Sequence, residues 1–245
     1  MQFTDRIFIG TSGWDYPEWR SRFYPADVSR DHWLTHYTQQ FKTLEINHSF
    51  YQLPESKTLT HWRSLVPDDF RFAVKASRYI THNKKLKDPQ EPVTRFMERV
   101  VALEDNLGPI LFQLPPHWHC NRERLEQFLQ VLPSGYDYSF EFRDRSWHCP
   151  EIYDTLAQYG ASFCIFDLKQ RTSEKAVTAD HIYIRLHGPR AEPYTGNYDP
   201  QALAGWAGAF STWGQQGKTI YCYFNNDKGG CAPQDALALQ KIVTD

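Results

Sequence analysis

The segment SFEFRDRSWH, residues 139–148, contains an acid and a base that could act together in chemistry. Glu141 and Arg143 lie two positions apart in a run that otherwise has the composition of a buried strand. Side chains two positions apart share one face of a strand, so this pair would be buried together. Because an unpaired buried charge is very costly, the two groups must meet partners, water or a ligand. We therefore expect a polar site here, with Glu141 as the first candidate for acid–base catalysis.

Other strand-like runs also have one polar and one apolar face. In HIYIRLH, for example, Arg185 and His187 alternate with Ile184 and Leu186. If helices cover the apolar face, the polar face points to the inside of a barrel, close to the carboxyl ends of the strands. The side chains predicted to point inward are Glu45, Lys75, Gln113, Glu141, Arg143, Asp167, Arg185, His187 and Asn225.

These side chains suggest roles in binding and catalysis. His187 is the second candidate for acid–base catalysis, after Glu141. The inward basic groups would attract an anion, and Arg143 can bind a carboxylate or phosphate through two parallel hydrogen bonds. The loop GTSGWDYPEW, after the first strand, adds a polar and an aromatic contact. The residues predicted to bind substrate are Ser12, Trp14, Glu45, Asn47, Lys75, Gln113, Arg143, Trp147, Asp167, Arg185 and Asn225.

Two glycine-containing loops, HGPRAEPYTGNYD and NNDKGG, follow the last two strands. In many barrels the corresponding loops and a helix N-terminus hold a phosphate. Lys228, Gly229 and Gly230 are therefore candidate phosphate ligands, together with Asn225. The alternative is that the inward charges form an ion network that only stabilises the barrel.

A metal site is a further alternative, because Glu141, Asp167 and His187 end three successive predicted strands. Carboxylates and imidazole can bind a transition metal together. The basic side chains expected at the same place would repel a cation, so we predict no metal ligand. The sequence indicates no particular cofactor, and it lacks the motifs of nucleotide-binding loops, zinc proteases and activated serine or cysteine nucleophiles.

Eight runs rich in β-branched and aromatic residues predict the strands that would position these side chains. They cover residues 7–11, 42–47, 70–75, 109–114, 138–143, 162–167, 181–186 and 219–224. Their starts are about 30 residues apart, the length of a β-α unit. We therefore expect an α/β protein, a TIM-type (β/α)8 barrel formed as a single domain by residues 1–245. An open doubly wound sheet is less well supported, because no dinucleotide-binding glycine motif follows the first strand.

Amphipathic segments between the strands predict helices, among them residues 31–41, 91–108 and 232–243. One unit is irregular. The segment LKQRTSEKAVTAD, residues 168–180, connects two predicted strands but lacks a helical pattern. We therefore expect the sixth helix of the barrel to be short or absent.

Composition narrows the partners and the compartment. The net charge of -2 gives no overall positive field, so it does not support nucleic acid as a partner. The five cysteines are scattered without a C-x-x-C pair, which indicates free thiols in a reducing compartment. There is no signal-peptide pattern and no run of about 18 apolar residues, so we expect a cytoplasmic protein that does not bind a membrane.

Seven motifs occur in order along nearly the whole chain: GTSGWDYPEWRSRFYP, EINHSFYQLP, FAVKASRYITH, LGPILFQLPP, EFRDRSW, YIRLHG and YCYFNND. As a set they resemble the YecE-like family, also called domain of unknown function 72. The resemblance implies a TIM-type barrel with an irregular segment after Asp167. It implies no reaction and no catalytic residues, because the family has none assigned.

Three functions stay open at this point. The leading hypothesis is an enzyme that acts on a small anionic substrate, phosphorylated or sugar-like, at the mouth of the barrel. The second is a metal-dependent protein that processes nucleic acid, because barrels of this family resemble the endonuclease IV group. Lys84, Lys85 and Lys87 would then contact phosphates. The third is a ligand-binding protein without catalysis.

Overall fold

Parallel strands form a nearly closed ring, and the computed structural model describes residues 3–244 of the chain. The strands are β1 (Ile7–Thr11), β2 (Thr43–Ile46), β3 (Arg71–Lys75), β4 (Leu107–Leu114), β5 (Tyr138–Phe142), β6 (Ser162–Leu168), β7 (Arg171–Thr172), β8 (His181–Leu186) and β9 (Thr219–Phe224). All of them except the two-residue β7 belong to the ring, in the order β1-β9-β8-β6-β5-β4-β3-β2. Each of the eight predicted strands is present, and its bounds differ from the prediction by two residues at most.

The ring closes between its first two strands. Ser12 and Glu45 form a parallel bridge, and the amide of Gly13 donates to the carbonyl of Glu45 at 2.8 Å. Gly10 makes the close approach of β1 to β2 possible, because a Cβ at this position would collide with the carbonyl oxygen of Thr43. The predicted TIM-type barrel is thus confirmed.

Helices occupy the connections between most strands: α1 (Trp33–Thr38), α2 (His48–Tyr51), α3 (Ser56–Ser64), α4 (Gln90–Val100), α5 (Arg122–Gln130), α6 (Pro150–Gln158), α7 (Pro200–Gln215) and α8 (Cys231–Thr244). The helix predicted over 91–108 ends earlier, at Val100, and continues as a short 3-10 turn. Glu104 has a φ of 46°, which a continuing helix cannot contain. Within residues 3–244 no helix is both long enough and apolar enough to cross a membrane.

The connection between β6 and β8 contains no helix, as predicted. Instead, β7 pairs antiparallel with the end of β6. Lys169 and Gln170 make the turn with φ values of 53° and 61°, the backbone conformation of a two-residue hairpin. The chain then reaches β8 without regular secondary structure, so the mouth of the barrel is bordered here by a hairpin.

Side chains inside the barrel fall into an apolar and a polar layer. The apolar cluster comprises Phe8, Ala73, Leu111, Cys164, Tyr183, Tyr221 and Tyr223. The rings of Phe8 and Tyr221 stack with their centroids 4.9 Å apart. The polar layer lies above this cluster, toward the carboxyl ends of the strands, where active sites of this fold are found.

Candidate functional site

Arg185 lies at the centre of the polar layer, where it is 1% exposed. Its Nη1 donates to Oε2 of Glu141 at 2.7 Å, and its Nη2 donates to Oε1 of Glu45 at 2.8 Å. One guanidinium therefore joins carboxylates from β2 and β5, on two sides of the barrel. The structure thus brings together three charged residues that the strand alternation predicted to point inward.

Glu45 has a full set of partners. Its Oε1 accepts from the Ser12 hydroxyl as well as from Arg185, and its Oε2 accepts from the phenol of Tyr183 at 2.7 Å. Asn47 completes the surroundings, with its Oδ1 3.5 Å from Nη2 of Arg185. Both carboxylate oxygens of Glu45 are thus hydrogen-bonded, as a buried carboxylate requires.

Glu141 is held between two guanidinium groups. Its Oε1 forms an ion pair with Nε of Arg143, and its Oε2 accepts from Arg185. Burial would raise the pKa of Glu141, but Arg143 and Arg185 outweigh burial and lower it. A carboxylate that is strongly paired and has a lowered pKa is a weak base. The geometry therefore favours an anchoring role for Glu141 over proton transfer.

His187 is fully buried, and its neighbours hold it in the neutral form. Burial lowers the pKa of this imidazole well below its usual value, and the nearby Arg143, Arg185 and Lys75 lower it further. Its Nε2 lies 3.1 Å from Nη2 of Arg143, which can only donate. The side-chain amide nitrogen of Asn225, 3.0 Å from Nδ1, is likewise a donor, so both ring nitrogens face donors and neither neighbour favours a second proton on the ring. An imidazole in this state positions Arg143 more readily than it takes up a proton.

Lys75 differs from the other inward charges, because it forms no ion pair with any carboxylate of the described residues. Its Nζ lies 4.2 Å from the ring centroid of Phe50. Burial is the largest effect and lowers the pKa of Lys75, and the positive charges of Arg185 and Arg143 lower it further. Glu141 and Glu45 raise it in part, and the resulting pKa is about 7. Lys75, predicted only to bind substrate, is thus the inward group whose proton exchange lies nearest to neutral pH.

Arg143 connects this buried network to an open cleft at the mouth of the barrel. Its side chain is 13% exposed, and its guanidinium carbon lies 5.2 Å from the ring centroid of Phe166. The cleft, which we call the mouth cleft, has a volume of about 1200 Å³, and Gln113 and Tyr194 are also in its wall. Its fully charged lining residues are Arg143, Arg145, Lys169, Arg171 and Glu174.

Asp167 does not join the inward set. It is paired in register with Leu186, which packs in the outer core, whereas the preceding Phe166 is paired with Arg185. Its carboxylate accepts from the phenol of Tyr198, while burial raises its pKa. The predicted inward position is wrong, because the alternation in SFCIFD places Cys164 and Phe166 inside and Asp167 on the outer face.

The two tryptophans predicted to contact substrate both pack against the protein, Trp147 completely and Trp14 in part. Trp147 is 0% exposed; it stacks on Phe142 at 4.9 Å and donates to the carbonyl of Trp118 at 2.6 Å. Its predicted contact with substrate is wrong, because it is sealed in the core. The indole of Trp14 meets Trp62 of α3 edge-on at 4.9 Å, so its ring is used between the barrel and the helices.

The predicted phosphate loop and the metal alternative find no support in the geometry. Lys228 pairs with Glu192 at 2.6 Å, and the carbonyl of Gly229 accepts from Arg22. Across residues 3–244 no group of three or more His, Cys, Asp or Glu side chains is placed to hold a metal ion. Glu141 and Asp167, proposed above as joint metal ligands, lie on opposite faces of the sheet.

Sequence reasoning missed the basic wall of the mouth cleft. Lys169 and Arg171 come from the irregular segment after β6, and Arg145 follows β5. A short basic segment in place of a helix at the mouth of a barrel was the available signal. Asp227 was missed as well: it lies beside Tyr16, burial raises its pKa well above the usual value, and its Oδ1 has no hydrogen-bond partner among the described residues.

The family comparison covers nearly the whole chain. The model of the family described as protein of unknown function DUF72 matches residues 8–245. UPF0759 protein YunF of Bacillus subtilis (strain 168) is 24% identical over 97% of this chain and 94% of its own length. UPF0759 protein YecE of Escherichia coli (strain K12) is 30% identical, over 56% of this chain and 48% of its own length.

Solved structures give the same assignment. A DUF72 family protein from Thermotoga maritima MSB8 is 28% identical, with a TM-score of 0.89 over 98% of this chain and 99% of that one. D-psicose 3-epimerase from Clostridium cellulolyticum H10, solved with D-tagatose, shares the fold at 11% identity and a TM-score of 0.56, over 97% of this chain and 98% of that one. The match of the family model, the curated relatives and the structural similarity together show that this chain belongs to the DUF72 family.

Proposed function

We propose that the protein is an enzyme that acts on a small anionic molecule bound in the mouth cleft. One observation carries the proposal: the excess of positive charge in the cleft wall. Four basic side chains, Arg143, Arg145, Lys169 and Arg171, face a single carboxylate, that of Glu174. Guanidinium groups bind phosphate and carboxylate through paired hydrogen bonds, so such a wall favours an anion over a neutral or cationic ligand.

Arg143 is held in place for this role. Glu141 pairs with its Nε and His187 accepts from its Nη2, while neither partner engages its Nη1. A donor fixed before the ligand arrives loses less conformational entropy on binding than a free surface side chain does. The exposed ring of Tyr194 in the same wall offers an apolar face for a sugar-like or other ring-containing part of the ligand, while the ring of Phe166 lies beneath the guanidinium of Arg143.

We expect a thermal-shift screen of phosphate, sugar phosphates and small dicarboxylates to find anions that raise the melting temperature. Arg143→Ala and Arg171→Ala should each weaken the best ligand by about 10- to 100-fold, because each removes a charge-assisted hydrogen bond. Glu174→Gln should tighten binding, since it removes the opposing charge. Titration of the melting temperature against ligand concentration measures the dissociation constants.

Lys241→Ala is the matched control for these variants. Lys241 is an exposed basic residue in the last turn of α8, and this C-terminal end of the helix is at the end of the barrel opposite the mouth. It should leave ligand affinity unchanged. Absence of any stabilising anion, or equal affinity in the wild type and in Arg143→Ala, would remove the proposed function.

A ligand-binding protein without catalysis is the second candidate. The observation that favours it is the engagement of Glu141 and His187, the two predicted acid–base residues, by arginine. Both candidates use the same cleft, and product formation from a ligand found in the screen separates them. Nucleic acid is less well supported: Lys84, one of the three lysines considered for phosphate contacts, lies 3.6 Å from Asp88.

We also propose that the protein works in the cytoplasm. All five cysteines are free thiols, and two of them, Cys164 and Cys222, are buried. Free thiols persist in a reducing compartment, whereas secreted proteins usually pair their cysteines.

A further inference from the structure

We propose that Lys75 is a covalent site of this barrel, at which its amine condenses with the aldehyde or ketone carbonyl of an anionic ligand. The preference for an anion rests on the proposed function of the mouth cleft. The reaction of the amine with a carbonyl does not, and it can be tested separately.

Lys75 lies on the inner face of the barrel, close to the mouth cleft. Lys75 ends β3, and its side chain shares the inward face with Ala73, a member of the apolar cluster inside the barrel. It is paired in register with Leu111, two residues before Gln113 on β4. Gln113 lies in the wall of the mouth cleft and is itself paired with Glu141. Adjacent strands are about 4.8 Å apart, so Lys75 lies one strand over from Gln113 and two residues before it along the strands, beside the cleft wall.

The amine of Lys75 is not engaged by a carboxylate within residues 3–244. The Nζ of Lys75 lies against the face of Phe50 and has no carboxylate ion-pair partner in the described part of the chain. Lys75 is partly exposed, in contrast to Arg185, Glu45 and Glu141, which are sealed. A small molecule in the barrel mouth can therefore contact part of the Lys75 side chain, whereas it cannot contact the centre of the ion network.

The electrostatic surroundings act in the same direction. Burial, together with the nearby Arg185 and Arg143, holds the pKa of Lys75 at about 7. About half of the molecules then carry the neutral, nucleophilic amine at neutral pH, compared with well under one in a hundred for an ordinary lysine. Desolvation and neighbouring cations are the means by which proteins activate a lysine toward carbonyl groups.

The reaction balances without an oxidant or reductant. The nitrogen lone pair of Lys75 forms a bond to the carbonyl carbon, the π electrons move to oxygen, and a proton passes from the nitrogen to this oxygen to give a neutral carbinolamine. Loss of the hydroxyl group with a further proton, as water, gives a protonated imine. Neutral amine, carbonyl compound and one proton thus become a protonated imine and water. Glu45 and Glu141 favour the positive charge that the imine restores at this position.

The experiment uses two probe aldehydes, pyridoxal 5′-phosphate and pyridoxal, which differ in the phosphate. The full-length wild-type protein is incubated with each near neutral pH, the imine is reduced with borohydride, and labelled lysines are located by peptide mass spectrometry. We expect pyridoxal to label Lys75 at least about 10-fold faster than the exposed Lys57 and Lys85. Equal or slower labelling of Lys75 would overturn the covalent site. Because these rates come from the unchanged chain, no variant has to fold.

The phosphate comparison separates this inference from the proposed function. Faster labelling of Lys75 by pyridoxal 5′-phosphate than by pyridoxal, lost in Arg143→Ala, supports both. Equal labelling by the two aldehydes would contradict the anion preference while the covalent site stands. If pyridoxal 5′-phosphate stabilises the protein against unfolding and pyridoxal does not, but Lys75 carries no label, the covalent site is contradicted and anion binding stands. Lys57→Arg is the matched control and should leave the rate at Lys75 unchanged.

Discussion

Replacing Arg185 with methionine is expected to lower the free energy of unfolding by about 3–5 kcal/mol near neutral pH. The guanidinium joins Glu45 and Glu141, and both carboxylates are 0% exposed. Methionine fills a similar volume but leaves these charges without their shared partner in a medium of low polarity. Urea unfolding followed by circular dichroism measures the difference, provided that both proteins unfold in a single transition.

The loss should depend on pH in a defined direction. In the wild type the pKa of Glu141 is below its usual value of 4.5. The stability that this carboxylate contributes is therefore present above about pH 4.5 and is lost as the pH falls through the lowered pKa. Without Arg185 the burial effect weighs more, and the pKa of Glu141 rises. The variant should accordingly recover part of its deficit in acid, where Glu141 can be protonated.

Two comparisons test the explanation. In a double-mutant cycle, Glu45→Gln should cost less in the Arg185→Met protein than in the wild type, because the charge that it removes is already unpaired. Lys57→Met breaks the exposed pair with Glu55 and should leave the free energy of unfolding nearly unchanged. If Arg185→Met costs no more than Lys57→Met, or if its cost does not change with pH, the network is not the source of stability described here.

The second large effect has the opposite sign: Lys75→Met is expected to stabilise the protein by about 2–4 kcal/mol at pH 7. The pKa of Lys75 is lowered from 10.5 to about 7 in the fold, so unfolding lets this amine bind a proton. Each unit of this difference corresponds to about 1.4 kcal/mol, and partial exposure reduces the total. Methionine removes the penalty and keeps an apolar contact with Phe50.

The sign of the pH dependence follows from linkage. Between about pH 7 and 10.5 the unfolded chain binds more protons at Lys75 than the folded chain does, so the wild type gains stability as the pH rises. The advantage of Lys75→Met should therefore be greatest at or below pH 7 and disappear near pH 10.5. Denaturant unfolding at several pH values measures it. If the Lys75→Met protein is less stable than the wild type at pH 7, or if the difference between them does not change with pH, then the charged Lys75 does not destabilise the fold.

A residue that reduces stability at the mouth of a barrel is typical of a functional site, where chemistry and stability compete. The stability measurement and the labelling of Lys75 are independent, since one follows folding and the other follows reaction with an aldehyde. Agreement between them would identify the same amine by two unrelated properties.

Strand alternation was enough to predict most of the polar layer, because it is a local property of the chain. Alternation alone predicts that Arg185, Glu141 and Glu45 point inward. It could not predict which of them pair, since Arg185 and Glu45 are separated by 140 positions and meet only when the ring closes. For that reason the sequence favoured Glu141 as an acid–base residue, whereas its surroundings make it an anchor.

The errors have local causes as well. Asp167 was assigned inward from its place at the end of a strand, although strict alternation with Phe163 and Ile165 puts it on the outer face. Trp147 was treated as a loop aromatic, and its burial depends on packing against Phe142, which composition does not reveal. The basic wall depends on the path of the segment after β6, which has no periodic pattern to read.

The hairpin in place of the sixth helix borders the mouth of the barrel but does not cover the sheet as a helix would. Elsewhere a connecting helix must cover the sheet, so a change in its length or sequence is felt by the core. Lys169 and Arg171 lie on the exposed hairpin, whereas the part of the same connection that packs against the core, at Ala176, comes later in the chain. Insertions or charge changes there can alter which molecules enter while the scaffold is left intact. Among relatives, diversification of ligand preference should therefore concentrate in this hairpin.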